Sequence, residues 1–169
     1  MKLIPLNTTR GRKGLFVQVD DEDYDFLMQW RWHSDKQPTG YYASRTRQKN
    51  EVYPTMDIRM HRVIMGITDH KTMIDHIDHN TQNNQRNNLR VATGKQNCQN
   101  RRPIKNSTSK FLGVRSVSDR PLRKKWRAQI SPDKVCIHLG YFLLEEDAAR
   151  AYDKKAKELY GEFANLNFK

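Results

Sequence analysis

The sequence predicts an α+β protein built from small modules, on three observations. Apolar and polar side chains alternate with a period of two in several short segments, the pattern of half-buried strands. One segment near the C terminus instead places small and apolar residues at helical spacing. Only 36% of the 169 residues are hydrophobic while 30% are charged, which disfavours one thick core. Lys and Arg number 31 against 19 Asp and Glu, a net charge of +12. That excess points to a polyanionic partner, either nucleic acid or an anionic membrane surface. No stretch approaches the ~18 apolar residues of a membrane span. The apolar run after Met1 is too short for a secretory signal. Two cysteines, Cys98 and Cys136, cannot make a disulfide framework or a four-thiolate zinc site. The expected setting is a reducing cytoplasm.

Residues 1–56 read as an α+β scaffold segment. Leu15–Val19 alternates as a strand, and Asp20, Asp21, Glu22 and Asp23 supply an N-cap and first-turn acids for a helix. Tyr24, Leu27, Met28 and Arg31 share a face of that helix, and Trp30, Trp32, Tyr41 and Tyr42 add bulk. Arg45 and Arg47 stand two apart, so on a strand they share a face, either as phosphate contacts or as ordinary surface charge.

Residues 57–102 form the middle module, net +4. His61 opens a short helix and either packs under the site or helps orient it. Met73–Ile77 and Leu89–Ala92 alternate as two strands, separated by the polar, Asn-rich loop 78–88. Thr93 followed by Gln96 is a capping-box spacing, which predicts a helix from about Gly94 to Arg101. This order gathers Asp75, His76 and Asn97 as a candidate constellation. Hard oxygen donors suit Mg²⁺ or a similar cation. An adjacent imidazole can take a proton from water, and a cation can stabilise the charge that develops on phosphorus and the leaving oxygen. These are the requirements of phosphodiester hydrolysis. Neighbours on a strand point to opposite faces, so Asp75 and His76 serve one phosphate only if the strand ends or twists there. The plainer alternative is that His76 is a packing residue. Zinc is a competing idea, since His61, His70, His76, His79 and Cys98 lie close in sequence, but no pair has zinc-finger spacing.

Residues 103–110, with a proline and small polar residues, read as a linker. Residues 111–169 read as three strands and a helix. Leu112 and Val114 oppose Gly113 and Arg115; Trp126, Ala128 and Ile130 oppose Lys125, Arg127 and Gln129; Val135, Ile137 and Leu139 oppose Cys136 and His138. In 145–160, Ala148, Ala149, Tyr152, Ala156 and Leu159 form the apolar stripe, with Glu145, Glu146 and Asp147 in the first turn and Gly161 as a stop. A helix over the apolar sheet face leaves the other face basic. Residues 103–134 carry nine cations and two acids, whereas 145–162 carry four cations and six acids, so a polyanion is drawn to the sheet and repelled by the helix. Such a sheet fits the ~12 Å major groove of DNA; a solvated charged face is the bland alternative.

Two family resemblances sharpen this. Met60-His-Arg-Val-Ile64, Asp75-His-Ile-Asp-His-Asn80, Asn87-Asn-Leu-Arg-Val91 and Gln96-Asn97 resemble an HNH nuclease of the phage homing type, with a ββα-metal core. The resemblance implies that His76 is the general base, that Asp75 and Asn97 bind the metal, Mg²⁺ or another hard divalent cation such as Mn²⁺, and that Asn88 pins the loop. The final His of the motif's name is replaced by Asn97. Phe111-Leu-Gly-Val-Arg115, Trp126-Arg-Ala-Gln-Ile130, His138-Leu-Gly-Tyr-Phe142, Ala148-Ala-Arg-Ala-Tyr152-Asp153 and Ala164-Asn-Leu-Asn-Phe168 resemble an AP2 DNA-binding domain. That resemblance implies double-stranded DNA as the partner, contacted by Arg115, Arg123, Lys125, Arg127, Gln129 and His138. Gln129 and His138 stand where plant members have Glu and Trp, so their base preference is not carried over.

Together these imply a site-directed DNA endonuclease in a bacterial or phage-infected cell. The alternative is a non-catalytic DNA-binding regulator with a degenerate HNH scaffold. One active site per chain predicts a nick per binding event, for which a monomer suffices; a double-strand break needs two chains or a second event.

Overall fold

A computed structural model describes residues 1–7, 14–100, 107–117 and 125–168. The chain is α+β, with small antiparallel sheets and few helices, and divides into two compact units, 1–94 and 95–169. Among the described residues, no helix is long and apolar enough to cross a membrane.

The first unit opens with an antiparallel pair, β1 (Lys2–Pro5) and β2 (Phe16–Val19). Ile4 faces Val17 in register, and both are buried, so the period-two pattern sends this side inward. Helix α1 (Asp21–Leu27) follows, with Asp21, Glu22 and Asp23 in its first turn. It ends at Leu27, so the predicted helical face does not extend to Met28 and Arg31, and Met28 is exposed. Trp32 turns back to donate its Nε1–H to the Leu27 carbonyl at 2.8 Å, an interaction periodicity does not encode. A three-stranded antiparallel sheet is built from β3 (His33–Gln37), β4 (Gly40–Thr46) and β5 (Asp57–Arg59), with β4 central. Helix α2 (Met60–Ile64) leads to the hairpin of β6 (Met73–His76) and β7 (Leu89–Ala92). The core joins Ile4, Val17, Val19, Leu27, Trp32, Met60, Ile64 and Leu89, so the scaffold segment and the hairpin share one apolar interior.

Arg45 corrects the expectation of a phosphate contact. Its guanidinium is buried, paired with the Glu51 carboxylate and stacked 4.2 Å over Trp30. Arg47 lies just past β4 and donates to the Tyr53 carbonyl at 2.6 Å. Arg45 thus serves the interior of its own segment, and the half-buried Arg47 braces the loop that follows β4.

Helix α3 (Gly94–Gln99) starts at the end of the first unit and otherwise lies in the second. The second unit contains an antiparallel sheet of β8 (Val114–Ser116), β9 (Trp126–Ile130) and β10 (Ile137–Phe142), with β9 central. Helix α4 (Glu145–Tyr160) buries Ala148, Ala149, Tyr152 and Ala156 against it. Val114, Ala128 and Ile130 supply the facing side chains. At Gly113 (φ +70°) a Cβ would lie 2.0 Å from the Tyr152 ring, so only glycine lets helix and sheet approach this closely. The C-terminal tail is clasped by Asp153, whose carboxylate accepts the backbone N–H groups of Asn167 and Phe168 at 2.8 and 2.9 Å.

Three sequence expectations shift here. Val135 stands before β10 and is 64% exposed, because the chain leaves a short 3-10 turn there. Leu159 is 39% exposed; Tyr160 packs on the core instead. Lys125 precedes β9 rather than opening it. The linker residues 103–106 and Arg123 lie outside the described residues.

Candidate active site and nucleic-acid interface

Strand β6 ends at His76, and Asp75 and His76, both inside it, meet different partners: Asp75 pairs with Arg90, and His76 lies by Asn84, His61 and Tyr42. Directly after it, Ile77 N–H donates to the Asn88 carbonyl at 2.9 Å and His79 N–H donates to the His76 carbonyl at 3.0 Å, so the chain turns away. His79 adopts a left-handed φ of +62° in that turn. Asp75 and His76 are both buried, opposite Arg90 and Leu89 of β7.

The asparagine-rich loop after β6 is held by its own amides. The Asn88 side chain accepts from the Asp78 N–H at 3.0 Å and donates to the Asp78 carboxylate at 2.9 Å and the Asn83 carbonyl at 2.8 Å. Asn83 and the Asn80 N–H also donate to Asp78, at 2.8 and 2.7 Å. Burial pushes the Asp78 carboxyl up. These hydrogen bonds and the nearby His76 outweigh it, so the group sits below the ordinary carboxylate range. The compositional bias thus has a physical reason: Asn carboxamides offer donor and acceptor together, which a non-repetitive backbone needs.

His76 is fixed from several sides. Its Nε2 lies 3.4 Å from Asn84 Oδ1, and its ring meets the rings of His61 and Tyr42 at centroid distances of 5.3 and 6.0 Å. Burial draws the His76 pKa down, opposed by the Asn84 hydrogen bond and by Asp78 and Asp75. His61 is drawn well below its ordinary value by burial, with further lowering from His76, Arg59 and Arg62. Asp75 forms an ion pair with Arg90, whose Nη2 and Nε approach the same carboxylate oxygen at 2.8 and 3.1 Å. Arg90 faces Asp75 directly across the hairpin, the position from which opposite charges meet.

The scaffold segment buttresses this loop. Asp20 accepts from Gln85 Nε2 at 2.9 Å and Arg86 N–H at 2.8 Å, and the latter bond is the chief cause of its lowered pKa. Asp23 receives a two-pronged bond from Arg86 at 2.6 and 2.9 Å. The Asn84 N–H reaches the Gln18 carbonyl at 2.8 Å, and the Thr81 hydroxyl reaches the Tyr41 carbonyl at 2.8 Å. From sequence, Asp20 and Asp23 are helix-start acids. Their partners are more than 60 residues away, and only folding shows them. Asn84, Arg90 and Tyr42 were likewise not assigned to the site by pattern, although opposite charges on a predicted hairpin were a signal for Arg90.

Asn97 stands half-buried on α3 in the second unit, so the hairpin geometry covers Asp75, His76 and Asn88. Among the described residues, no three or more His, Cys, Asp or Glu side chains group as a metal site. The hard oxygen donors Asp75 and Asn97 still match Mg²⁺ in kind, since that ion retains several waters and takes few protein ligands.

On the sheet of the second unit, Arg115 lies directly opposite Arg127 and Gln129 opposite His138. Like charges in facing positions repel, so this arrangement gains when an anion lies across it. Arg115, Lys125 and His138 are exposed, and Arg127 and Gln129 half-buried. The register shifts between His138 and Gly140, and this bulge brings Tyr141 opposite Arg127. Its ring packs 4.6 Å from that of His138, adding an aromatic to the basic face that simple alternation misses.

An uncharacterized HNH endonuclease of Acanthamoeba polyphaga mimivirus is 32% identical over 166 residues, which span 95% of this chain and 79% of the relative. No family model matches the chain, and no solved structure matches it.

Proposed function

The chain belongs to the HNH endonuclease family, and on that premise we propose that it is a site-directed DNA endonuclease that hydrolyses a phosphodiester bond. His76 is the general base, and Asp75 and Asn97 hold one Mg²⁺ or comparable cation such as Mn²⁺. The observation that carries this reading is the environment of His76. A buried imidazole at a strand end, oriented by Asn84 and two rings, with its pKa drawn down, is neutral near pH 7 and has a lone pair for a proton.

In the proposed reaction, His76 takes a proton from water. The water oxygen bonds to phosphorus as the bond to the leaving oxygen breaks, and that oxygen takes its proton from solvent. When bound, the cation supplies stabilisation of the charge on the phosphoryl oxygens and the leaving oxygen. Asn88 works through geometry: by closing the loop it fixes where β6 ends and hence where His76 points.

For the second unit we propose an AP2-like DNA-binding role over residues 111–169, downstream of a nuclease core at 57–102 and the scaffold at 1–56. Arg115, Lys125, Arg127, Gln129 and His138 would contact double-stranded DNA, joined by Arg123. Support comes from the Arg115–Arg127 facing pair and the charge polarity between sheet and helix. The phage-homing character rests on the sequence resemblance.

The ion pair of Asp75 with Arg90 favours the second reading, a non-catalytic DNA-binding regulator, because one candidate ligand already has a cationic partner. The two readings separate in one experiment. Genomic DNA is incubated with the protein and MgCl₂, and new ends are mapped by sequencing, with His76→Ala as control. Discrete ends made by wild type and absent with His76→Ala support the endonuclease. Binding without new ends supports the regulator.

A further inference from the structure

On the three-stranded sheet of the first unit, Tyr42 of β4 and Arg59 of β5 share one side. Arg59 lies directly opposite Ser44, which makes it a diagonal neighbour of Tyr42, within reach of a long side chain. Its guanidinium carbon stands 4.6 Å from the centre of the Tyr42 ring, and the His76 ring stands 6.0 Å from the same centre. The His61 pKa is lowered chiefly by burial, then by His76 and by Arg59, so this cation lies within electrostatic reach of the histidine pair. Other buried or half-buried arginines of the first unit end on oxygen: Arg45 on Glu51, Arg47 on the Tyr53 carbonyl, Arg62 on the Thr72 carbonyl and Arg90 on Asp75. Arg59 is different. Among the described residues its side chain has no hydrogen bond or ion pair, although Asp35, opposite Tyr42, and Asp57, two residues back, share its side of the sheet. It is half-buried, with its nitrogens open to solvent.

We propose that Arg59 grips the DNA backbone: its guanidinium binds a phosphate flanking the cleaved bond and so seats the strand before His76. A half-buried cation with no anion beside it is costly to keep. Phosphate oxygens are the acceptors that its planar fork of donors fits. Stacking on Tyr42 holds that fork while its nitrogens stay accessible, so little freedom is lost on binding. Tyr42 adjoins both groups, which sets the cation beside the proposed base and not in the path of its proton. The phosphate it meets is therefore a neighbour of the one attacked. This contact belongs to the first unit and is additional to those proposed for the basic sheet.

This inference rests on the reading of the protein as an endonuclease, and its test separates the two. Full-length wild type, Arg59→Gln and Arg59→Lys are compared on the duplex mapped above, in MgCl₂, by single-turnover nicking at subsaturating protein, which reads kcat/KM. Circular dichroism reports folding. The duplex is then remade with one uncharged methylphosphonate at a time at the phosphates flanking the cut. We expect Arg59→Gln to lower kcat/KM about 10- to 100-fold, the weight of a charge-assisted hydrogen bond. Arg59→Lys keeps the charge but not the fork and should fall between. In wild type one methylphosphonate position should cost a similar factor, and in Arg59→Gln that position should cost less than about twofold more. A folded Arg59→Gln at the wild-type rate overturns the proposal. So does a slowed Arg59→Gln in which every position costs as much as in wild type, since a merely structural arginine would not cancel one phosphate. Should Arg59→Gln fail to fold, Arg59→Lys decides: a smaller penalty than in wild type at that position supports the grip, and an equal one overturns it. Wild type that binds DNA without nicking removes the endonuclease reading and this inference together. Nicking by wild type beside an unimpaired Arg59→Gln removes the inference alone.

Discussion

The hairpin of the first unit and the sheet of the second use polar side chains in opposite ways. Around β6 and β7, Asp75, His76, Asn84 and Asn88 are all buried, and their hydrogen bonds run to one another, to Arg90 and to the loop backbone. On the three-stranded sheet, Arg115 and His138 are exposed, and the apolar layer is built from other residues. A buried network fixes geometry, and each member lost leaves a desolvated partner. An exposed charge fixes little, and its energy depends on salt. The contrast predicts large, local and salt-insensitive effects in the hairpin, and graded, salt-sensitive ones on the sheet.

The largest expected effect is on the rate. On the proposed assignment, His76→Ala lowers nicking by about 10²–10⁴-fold while DNA affinity changes little. Single-turnover nicking with parallel binding measurements checks this, and equal rates for mutant and wild type would reject the assigned base. Next comes stability. Asn88→Ala strands the Asp78 N–H, part of the Asp78 carboxylate and the Asn83 carbonyl. A loss of about 2–3 kcal/mol in chemical denaturation is expected. A loss below about 0.5 kcal/mol would mean the loop holds without it.

What the sequence made legible follows from the range of its signals. Alternation and helical spacing are local, so strands β6, β7 and β9, the stripe of α4 and the polarity of the sheet could be read directly. Partners far along the chain could not. Arg45 looked like a surface cation because neither Glu51 nor Trp30 is marked as its partner by spacing. Asp20 and Asp23 looked like helix-start acids because Arg86 lies in another segment. The bulge after His138 changes the parity of β10, and strict alternation cannot anticipate one extra residue. Asp75 and His76 stood out through the HNH-like motif, and their adjacency was a difficulty rather than a signal; the turn after His76 is closed by Asn88, twelve residues on.

A third prediction concerns acid. His61 and His76 are both held below the ordinary histidine pKa in the folded state, burial being the main cause. The unfolded chain therefore binds more protons just below pH 6.5, the ordinary value. Their contribution is intact above that pH and is lost as pH falls toward the folded values. With one extra proton taken up per histidine on unfolding, the slope reaches up to about 1.4 kcal/mol per pH unit for each. Denaturation curves from pH 8 to 5 should show this decline above the range where carboxylates titrate, and His61→Phe should flatten it. An unchanged slope in that variant would mean that His61 carries none of it.

The smallest effect belongs to the sheet, and there the contrast is most exposed to failure. If about four phosphates are neutralised, the log–log dependence of DNA affinity on salt has a slope of roughly −3.6. Arg127→Ala should make it shallower by about 0.9 and leave the unfolding free energy nearly unchanged, since the residue lies on the face away from α4. Arg115→Ala should do the same, and the two changes should fall short of additive, because removing one of two facing cations also relieves repulsion on the other. Full-length protein titrated with duplex DNA across a salt series measures all three quantities. A slope unaffected by either substitution would mean that the polyanion lies elsewhere. The facing arginines would then be a repulsion tolerated for some other reason, and the sheet would lose its claim to be the counterpart of the hairpin.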